Sequence, residues 1–370
     1  MTTSTPKMET IQVLRAAAVL CVVISHIAHE LAALLVDRVD SFNSKLFPGD
    51  FGVDLFFVIS GFLMTYTCWD IFGKPRATSN FMARRLIRIV PLYWVTTSLM
   101  IAVVVLFPGN VKSATSDWQQ WLSSYLFWPY ARETDGLIRP VFGLGWSLQY
   151  EVLFYIIFAI GLCFSRTKGL IFIAGTIVAS SLLARIFGGN TAEVPAIIRF
   201  LSHTISLEFL AGMLLGYLYM KGLRFTRGIG LGIGSLGLIL LLVVPNFNES
   251  IDQMRAVHYG IPATLMVFAA VLTKGYDEVR VPRLALEIGE SSYAIYLTHP
   301  FIIGATSVLF SRLQLIDGLF PLNLVFTYSL AVVIMSLAVG YLAHYLFDLP
   351  FTNWLRRRWF AKAMRVYRVG

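Results

Sequence analysis

The residues most able to do chemistry lie in the first long apolar segment, 11–35, which carries Arg15, His26, His29 and Glu30. Hydrocarbon solvates ionisable groups poorly, so those found in membrane segments usually face the interior of a helix bundle. Arg15 and His26 are eleven residues apart, about three helical turns, so they share a face and lie roughly 16 Å apart along the axis. We therefore predict a crevice with Arg15 at one membrane surface and His26 near mid-depth. The alternative is a histidine that only stabilises the core.

A second group of candidate residues lies at the start of the sequence RRLIRIVPLYW, where Arg85 and Arg88 are three residues apart. Two guanidinium groups at the cytoplasmic entrance of a span would bind phosphate through charge-assisted, often bidentate hydrogen bonds. The alternative is positive charge that only anchors the helix, and this is our interpretation of Arg84. Pro91 lies inside the same segment and is expected to kink it.

A carboxylate lies in the outer half of the fourth predicted span, GWSLQYEVLFY. Ser147 and Glu151 are four residues apart and therefore lie on one helical face, next to Trp146. A carboxylate buried at that depth requires a partner. Either Glu151 pairs with a basic residue, or it positions a substrate hydroxyl or orients a catalytic histidine. The residues alone leave these possibilities open.

Two further segments add polar groups. GVDLFFVISGF contains Asp54, Ser60 and Gly61, and the glycine would allow close approach of a helix or ligand. Asp54 is expected near the outer end, where the alternative is an interfacial acid. SSYAIYLTH contains Ser292 and His299, which are seven residues apart and share a face; we interpret them mainly as structural.

The end of the last apolar segment, YLFDLPFTNWLRRR, is also interpreted as structural. His344 and Asp348 are four residues apart, a spacing at which side chains on a helix pair. The run 356–358, three arginines, is interpreted as a cytoplasmic helix stop and anchor.

Composition decides the fold class. Of the 370 residues, 57% are hydrophobic and only 14% are charged, and the mean hydropathy is +0.70. A soluble domain would not bury so much apolar surface, and repeated long apolar runs indicate transmembrane helices. We predict one all-α, polytopic membrane domain over residues 1–370, with a helical bundle at about 11–347 and a basic cytoplasmic tail at 348–370. The bundle is expected to have about ten spans, at roughly 11–35, 51–70, 89–107, 144–164, 169–187, 198–220, 229–245, 258–273, 287–310 and 323–347.

Charge distribution predicts the orientation. Most of the 30 lysines and arginines fall on the side that also holds both termini, and positive charge gathers on the cytoplasmic side of membrane proteins. The formal charge of +9 is thus explained by orientation, and nucleic acid is not expected as a partner. The long outer segment 107–143 is rich in Trp and Tyr, either as an interfacial belt or as platforms for sugar rings.

Other chemistries lack their signatures. The sequence has no glycine loop for phosphate, no zinc-spaced His/Cys cluster and no nucleophile-elbow serine, so no metal is expected. The three cysteines lie in apolar runs and are interpreted as packing residues. A histidine in a membrane crevice, with arginines at one mouth and a carboxylate toward the other, favours proton handling or group transfer.

Five motifs in order resemble the bacterial membrane acyltransferase-3 family. They are Arg15-x10-His26, GVDLFFVISGF, the RxxR of Arg85 and Arg88, the WSLxxE ending at Glu151, and SSYAIYLTH. The opening IQVLRA is closest to the exopolysaccharide acetyltransferase branch, as in succinoglycan modification. The resemblance covers about 11–358. One departure is Asp-Leu-Pro at 348–350, where such proteins commonly have Glu-Pro.

The resemblance implies an O-acyltransferase of the bacterial inner membrane. It would move an acetyl or other short acyl group from cytoplasmic acyl-CoA, a co-substrate rather than a bound cofactor, to a hydroxyl of an extracellular polysaccharide, surface glycan or lipid-linked precursor. His26 would be a general base or would carry a transient acyl group, and the sequence leaves both open. The expected roles are catalysis by His26 and Glu151, acyl-CoA binding by Arg15, Arg85 and Arg88, and support or substrate binding by Asp54, Ser60, Trp146, Ser147, Ser292 and His299.

Two other classes compete with the enzyme. A proton-coupled transporter or flippase would also carry ionisable groups at mid-depth, but the sequence shows no pair of related, broken helices. A structural scaffold would have little reason to keep Arg15 and His26 within a membrane span.

Overall fold

A computed structural model describes residues 9–35, 49–107, 117–132, 135–189, 191, 193–243, 255–275 and 280–366. These residues form helices and connecting turns, with no strand beyond two isolated bridges. The helices are α1 Glu9–Leu34, α2 Phe51–Cys68, α3 Ala77–Leu106, α4 Trp118–Tyr125, α5 Gly145–Gly161, α6 Arg166–Ile186, α7 Ala196–Ser202, α8 Ser206–Met220, α9 Arg227–Val243, α10 Ile261–Leu272, α11 Arg283–Arg312, α12 Leu315–Gly318, α13 Pro321–Ala343 and α14 Leu349–Val366. Single π-helical turns, Ala256–Gly260 and His344–Asp348, precede α10 and α14.

Several helices are long and apolar enough to cross a membrane. Within the described ranges there are six, or seven if α7 and α8, bent by 41°, form one span. A perpendicular span needs about 20 residues, and three of the expected spans coincide with shorter apolar helices, Gly145–Gly161, Arg227–Val243 and Ala256–Leu272. The all-α, multi-pass architecture is confirmed, whereas the count of about ten is not. Lys7, Arg38, Lys45, Lys112 and Arg368, counted for the orientation, lie outside the described residues.

The contacts group the chain into two compact units. The first comprises Met1–Tyr66 and Ala211–Phe347, and the second comprises Thr67–Leu210 and Asp348–Gly370. The assignment of residues 1–370 to one functional domain stays a prediction.

In the first unit, α11 packs against both α1 and α13, and α9 packs against α10. Small residues allow these close approaches. A Cβ at Gly289 of α11 would overlap the backbone of Gln12 in α1, and one at Gly340 of α13 would overlap Ile295 in α11. Glycine at such contacts lets membrane helices approach closely enough for side chains to reach between them.

In the second unit, α3 packs against α5 and α14, and α5 packs against α6. Aromatic rings fill the contact between α3 and α5, where the Phe81 ring lies 5.1 Å from that of Phe158 and 6.0 Å from that of Tyr155, centroid to centroid. Helix α3 continues from Ala77 to Leu106 through Pro91. The kink expected at this proline stays a prediction.

Candidate functional site

Helices α1 and α11 bring together four of the predicted site residues in the first unit. Arg15 Nη2 donates to Ser292 Oγ at 3.0 Å, and the His26 and His299 rings meet edge to face with centroids 5.0 Å apart. From the first contacting pair to the second, the residue number increases on both helices, so the two helices run parallel. The shared face predicted for Arg15 and His26 on α1 thus packs against α11. The contacting face of α11 is the one predicted for Ser292 and His299.

The hydrogen bonds of His26 define its tautomer. Its Nδ1 lies 2.9 Å from the Val22 carbonyl oxygen. A carbonyl oxygen only accepts, so the hydrogen lies on Nδ1, and Nε2 is the basic nitrogen in the neutral ring. His26 is half-buried. This arrangement suits a proton acceptor.

His299 lies in a fully buried position beside His26. Its side chain is 0% exposed, and its Nδ1 lies 3.2 Å from the Ile295 carbonyl oxygen. Nε2 of His299 has no hydrogen-bond partner within the described part of the chain. A buried polar atom without a partner is costly, and the place of His299 among the supporting or substrate-binding residues stays a prediction. The sequence indicated the shared face of His299 but not its contact with His26.

One turn beyond His26, Glu30 extends the same polar contact. Ser307 Oγ of α11 donates to Glu30 Oε1 at 2.6 Å and lies 2.7 Å from the hydroxyl of Tyr328. The sequence gives no partner for Glu30, because Ser307 and Tyr328 belong to distant segments.

Asp54 has a structural partner. Arg255 donates to both of its carboxylate oxygens, from Nε at 2.8 Å and from Nη2 at 2.6 Å, and also to the Asp50 carbonyl oxygen at 2.9 Å. Asp54 is 0% exposed and Arg255 is 6% exposed. This carboxylate therefore forms a buried ion pair that joins α2 to Arg255, next to the π-helical turn, and its depth relative to the membrane interface stays a prediction. Ser60 is half-buried further along α2.

In the second unit, a tyrosine joins two of the predicted site residues. The hydroxyl of Tyr155 donates to Glu151 Oε1 at 2.6 Å, and the Arg85 guanidinium carbon lies 5.7 Å from the Tyr155 ring centroid and 5.5 Å from that of Phe81. The sequence placed Arg85 and Glu151 at opposite mouths. That expectation is corrected, since one aromatic side chain contacts both. Glu151 and Tyr155 are four residues apart, a spacing at which side chains on a helix contact each other. The sequence therefore contains a signal for this hydrogen bond.

Arg88 has an acidic partner at the start of α14. Its Nη1 lies 2.6 Å from Asp348 Oδ2, with Arg88 26% and Asp348 1% exposed. The two residues are 260 positions apart. The structure shows this ion pair of Asp348 with α3, and the pairing with His344 that the spacing suggested stays a prediction.

The remaining predicted residues lie at the start of α5. Ser147 Oγ donates to the Leu144 carbonyl oxygen at 3.2 Å, which satisfies a backbone acceptor locally. The Trp146 ring is half-buried and edge-on to Tyr150, with centroids 6.1 Å apart. These contacts give both residues a structural role and leave their part in substrate binding a prediction.

Helix α4 begins with a side-chain cap at Asp117. Asp117 accepts from the Gln119 backbone N–H at 2.8 Å, and the Tyr130 hydroxyl donates to the other carboxylate oxygen at 2.6 Å. The Tyr130 hydrogen bond holds the pKa of Asp117 below its usual value, because it stabilises the ionised form. Among the described residues, no cluster of His, Cys, Asp and Glu would hold a metal ion.

Comparison with known proteins identifies the family. A family model described as an acyltransferase domain matches residues 8–345, nearly the whole chain. The chain belongs to the acyltransferase-3 family. It is also 33% identical over 267 residues to the exopolysaccharide production protein ExoZ of Rhizobium meliloti (strain 1021), covering 70% of this chain and 78% of the relative. No solved structure is significantly similar to it. This member of the acyltransferase-3 family is therefore a multi-pass membrane acyltransferase.

The contact of Tyr155 with Glu151 gives a first prediction. Tyr155→Phe removes a hydrogen bond to a charged group and is expected to lower the free energy of unfolding by about 1.5–3 kcal/mol. Thermal unfolding of the purified protein measures this. Tyr150→Phe is the matched control on the same helix, because its hydroxyl donates to the neutral carbonyl oxygen of Phe200 at 2.9 Å and its loss should cost about 1 kcal/mol. A loss at Tyr155 no larger than at Tyr150 would contradict the assigned contact.

Proposed function

We propose that this protein is an O-acyltransferase that moves an acetyl or other short acyl group from acyl-CoA to a glycan hydroxyl. The observation that carries the proposal is His26, whose Nδ1 hydrogen bond to Val22 makes Nε2 the basic nitrogen in a chain of an acyltransferase family. The similarity to ExoZ, an exopolysaccharide production protein, supports an extracellular polysaccharide, a surface glycan or its lipid-linked precursor as the acceptor.

The donor follows from charge. Coenzyme A carries several phosphate charges that hydrocarbon does not solvate, so it would bind from the cytoplasm. Arg85 and Arg88, with Arg15, are the proposed phosphate ligands, because guanidinium groups bind phosphate through bidentate hydrogen bonds. The contact of Arg85 with Phe81 and Tyr155 would hold its guanidinium in place for this role.

His26 performs the chemistry in this proposal. Nε2 takes the proton of the sugar hydroxyl as its oxygen attacks the thioester carbonyl carbon. The tetrahedral intermediate then collapses with cleavage of the C–S bond, and the CoA thiolate takes the proton from the imidazolium. Glu151 is the second proposed catalytic group, a carboxylate that positions the acceptor hydroxyl and is itself oriented by Tyr155.

The rival route passes the acyl group through His26. Nε2 would attack the thioester first and release CoA, and the sugar hydroxyl would then attack the acyl-imidazole. Incubation of the purified protein with radiolabelled acyl-CoA alone distinguishes the two routes. Label retained on the protein supports the acyl-imidazole, and its absence together with turnover on adding glycan supports the general base.

We further propose that residues 1–370 act as one domain in the bacterial inner membrane with both termini in the cytoplasm. This orientation supplies acyl-CoA to the arginines of α3 from the cytosol. Purified protein in vesicles gives the direct test of function: an acyltransferase yields acylated glycan, whereas a carrier only moves solute.

The donor assignment predicts a KM effect. Arg85→Ala is expected to raise the KM for acyl-CoA about tenfold or more, because a charge-assisted hydrogen bond to phosphate is lost. Lys168→Ala, which removes an exposed positive charge from α6, is the control and should change KM far less. Arg88→Ala should also raise KM, but it leaves the buried Asp348 without its ion-pair partner and so lowers stability as well. An unchanged KM and an unchanged affinity for acyl-CoA in Arg85→Ala would contradict the assignment.

A further inference from the structure

Helix α14 adds a fourth arginine to those of α3. Asp348, at the start of this segment, pairs with Arg88. Two turns further along, Arg356 has Arg84, Arg85, Arg88 and Asp348 as its electrostatic neighbours. We refer to these four arginines as the arginine cluster. All four belong to the second unit, and Asp348 is the carboxylate among the electrostatic neighbours of Arg356.

The charges of the cluster favour an anion. Guanidinium groups remain charged in proteins. Four of them exceed the charge of Asp348 and of Glu151, the carboxylate that Tyr155 joins to Arg85, so a further negative charge would reduce their repulsion.

Asp348 pairs with Arg88. Arg356 follows Asp348 in the chain, whereas its neighbours Arg84 and Arg85 precede Arg88. The two segments that carry the arginines are therefore antiparallel. A phosphate group would bridge these segments with several charge-assisted hydrogen bonds.

Arg356 differs from the arginines that follow it. Its Nε is buried and has no hydrogen-bond partner among the described residues. Arg357 and Arg358 are exposed, and the Arg358 guanidinium carbon lies 4.4 Å from the Trp354 ring centroid. The interpretation of the whole run 356–358 as a membrane anchor therefore does not fit its first member, which faces the cluster.

We propose that Arg356 binds the 3′-phosphate at the adenosine end of the acyl-CoA donor. This inference rests on the proposed function. Arg356 lies eight residues beyond Asp348, about 12 Å along a helix, toward the chain terminus that the proposed orientation places in the cytosol. A donor whose thioester points into the membrane carries its 3′-phosphate at the opposite, cytosolic end. Arg85 and Arg88 would then bind the diphosphate, nearer the thioester.

The test removes the phosphate from the ligand and the guanidinium from the protein. Binding of acetyl-CoA and of 3′-dephospho-acetyl-CoA is measured with the full-length protein in phosphatidylcholine nanodiscs. Wild type should bind the dephospho donor about tenfold more weakly, and Arg356→Ala should bind acetyl-CoA about tenfold more weakly while its affinity for the dephospho donor is unchanged. Arg357→Ala, which loses the same charge from the exposed neighbouring position, should behave as wild type. Arg356→Lys keeps the charge and should retain part of the discrimination.

Several results would overturn the inference. Equal affinity of wild type and Arg356→Ala for acetyl-CoA would do so, as would equal weakening for both donors. A deficit that is the same for both donors and changes with added phosphatidylglycerol would assign Arg356 to a lipid phosphate instead. If wild type binds neither donor, the proposed donor itself is wrong. That failure is distinct from one in which wild type binds acetyl-CoA and the variant binds it equally well.

Discussion

His26→Ala is expected to abolish glycan acylation while the protein continues to insert in the membrane at its normal level. Loss of a positioned general base costs about 10²–10⁴-fold in rate, and loss of a covalent carrier would cost at least as much. The ring is half-buried, and its contacts include a backbone hydrogen bond and the edge of His299. Truncation of a half-buried ring creates a smaller cavity than truncation of a fully buried one, so the fold should survive.

The control for His26 lies on the same helix. His29 also hydrogen-bonds a carbonyl oxygen one turn back, that of Ser25 at 2.8 Å, but it is exposed. His29→Ala removes the same side chain from a neighbouring position and should retain most of the activity. Mass spectrometry of the surface polysaccharide from cells that express each variant measures acylation, and immunoblotting of membranes measures the protein level. Acylation that persists in His26→Ala would exclude the role proposed for this residue.

Asp54→Ala is expected to lower the free energy of unfolding by about 3–5 kcal/mol, because it leaves Arg255 as a buried charge without its ion-pair partner. Such a loss is a large fraction of the stability of a typical protein, so reduced expression is expected as well. Unfolding of the purified protein measures it. The control is Asp70→Asn, which breaks an exposed ion pair with Arg166. The Asp70 side chain is 80% exposed and that of Arg166 is 39% exposed, so the loss should cost about 0–1 kcal/mol.

A double variant separates structure from chemistry at this site. Replacing both charges, Asp54→Leu with Arg255→Met, removes the ion pair without leaving either charge alone, and such exchanges are often neutral or stabilising. If Asp54 only joins α2 to the π-helical turn, the double variant should regain both stability and acyltransferase activity. Regained stability without activity would show that Asp54 has a part in catalysis or binding.

Local spacing was sufficient to identify the faces of the reactive helices. Arg15 with His26, and Ser292 with His299, share faces because an α-helix repeats every 3.6 residues, whatever surrounds it. Composition identified an all-helical membrane protein for a similarly general reason, the need to keep long apolar runs away from water. The motifs pointed to the acyltransferase-3 family, which the match over residues 8–345 confirms.

Helix length was less predictable, because apolar residues continue past helix ends into turns. The expected span 144–164 continues through the apolar residues 162–164, yet α5 ends at Gly161, after 17 residues. Hydropathy records only that these residues avoid water. Where a helix ends depends on its backbone hydrogen bonds and on what packs against it, so the predicted count of about ten spans was not confirmed.

The sequence by itself determined the fold class, the family and which side chains share a helical face. Only the tertiary structure decided their partners. Asp54 with Arg255 and Arg88 with Asp348 are pairs separated by more than two hundred residues, and no local period relates such positions. Likewise, Arg15 meets Ser292 and His26 meets His299 because α1 and α11 pack in parallel with a glycine at their contact. A helix period specifies direction around one axis, whereas a partner depends on how two axes pack, and packing is a property of the whole chain.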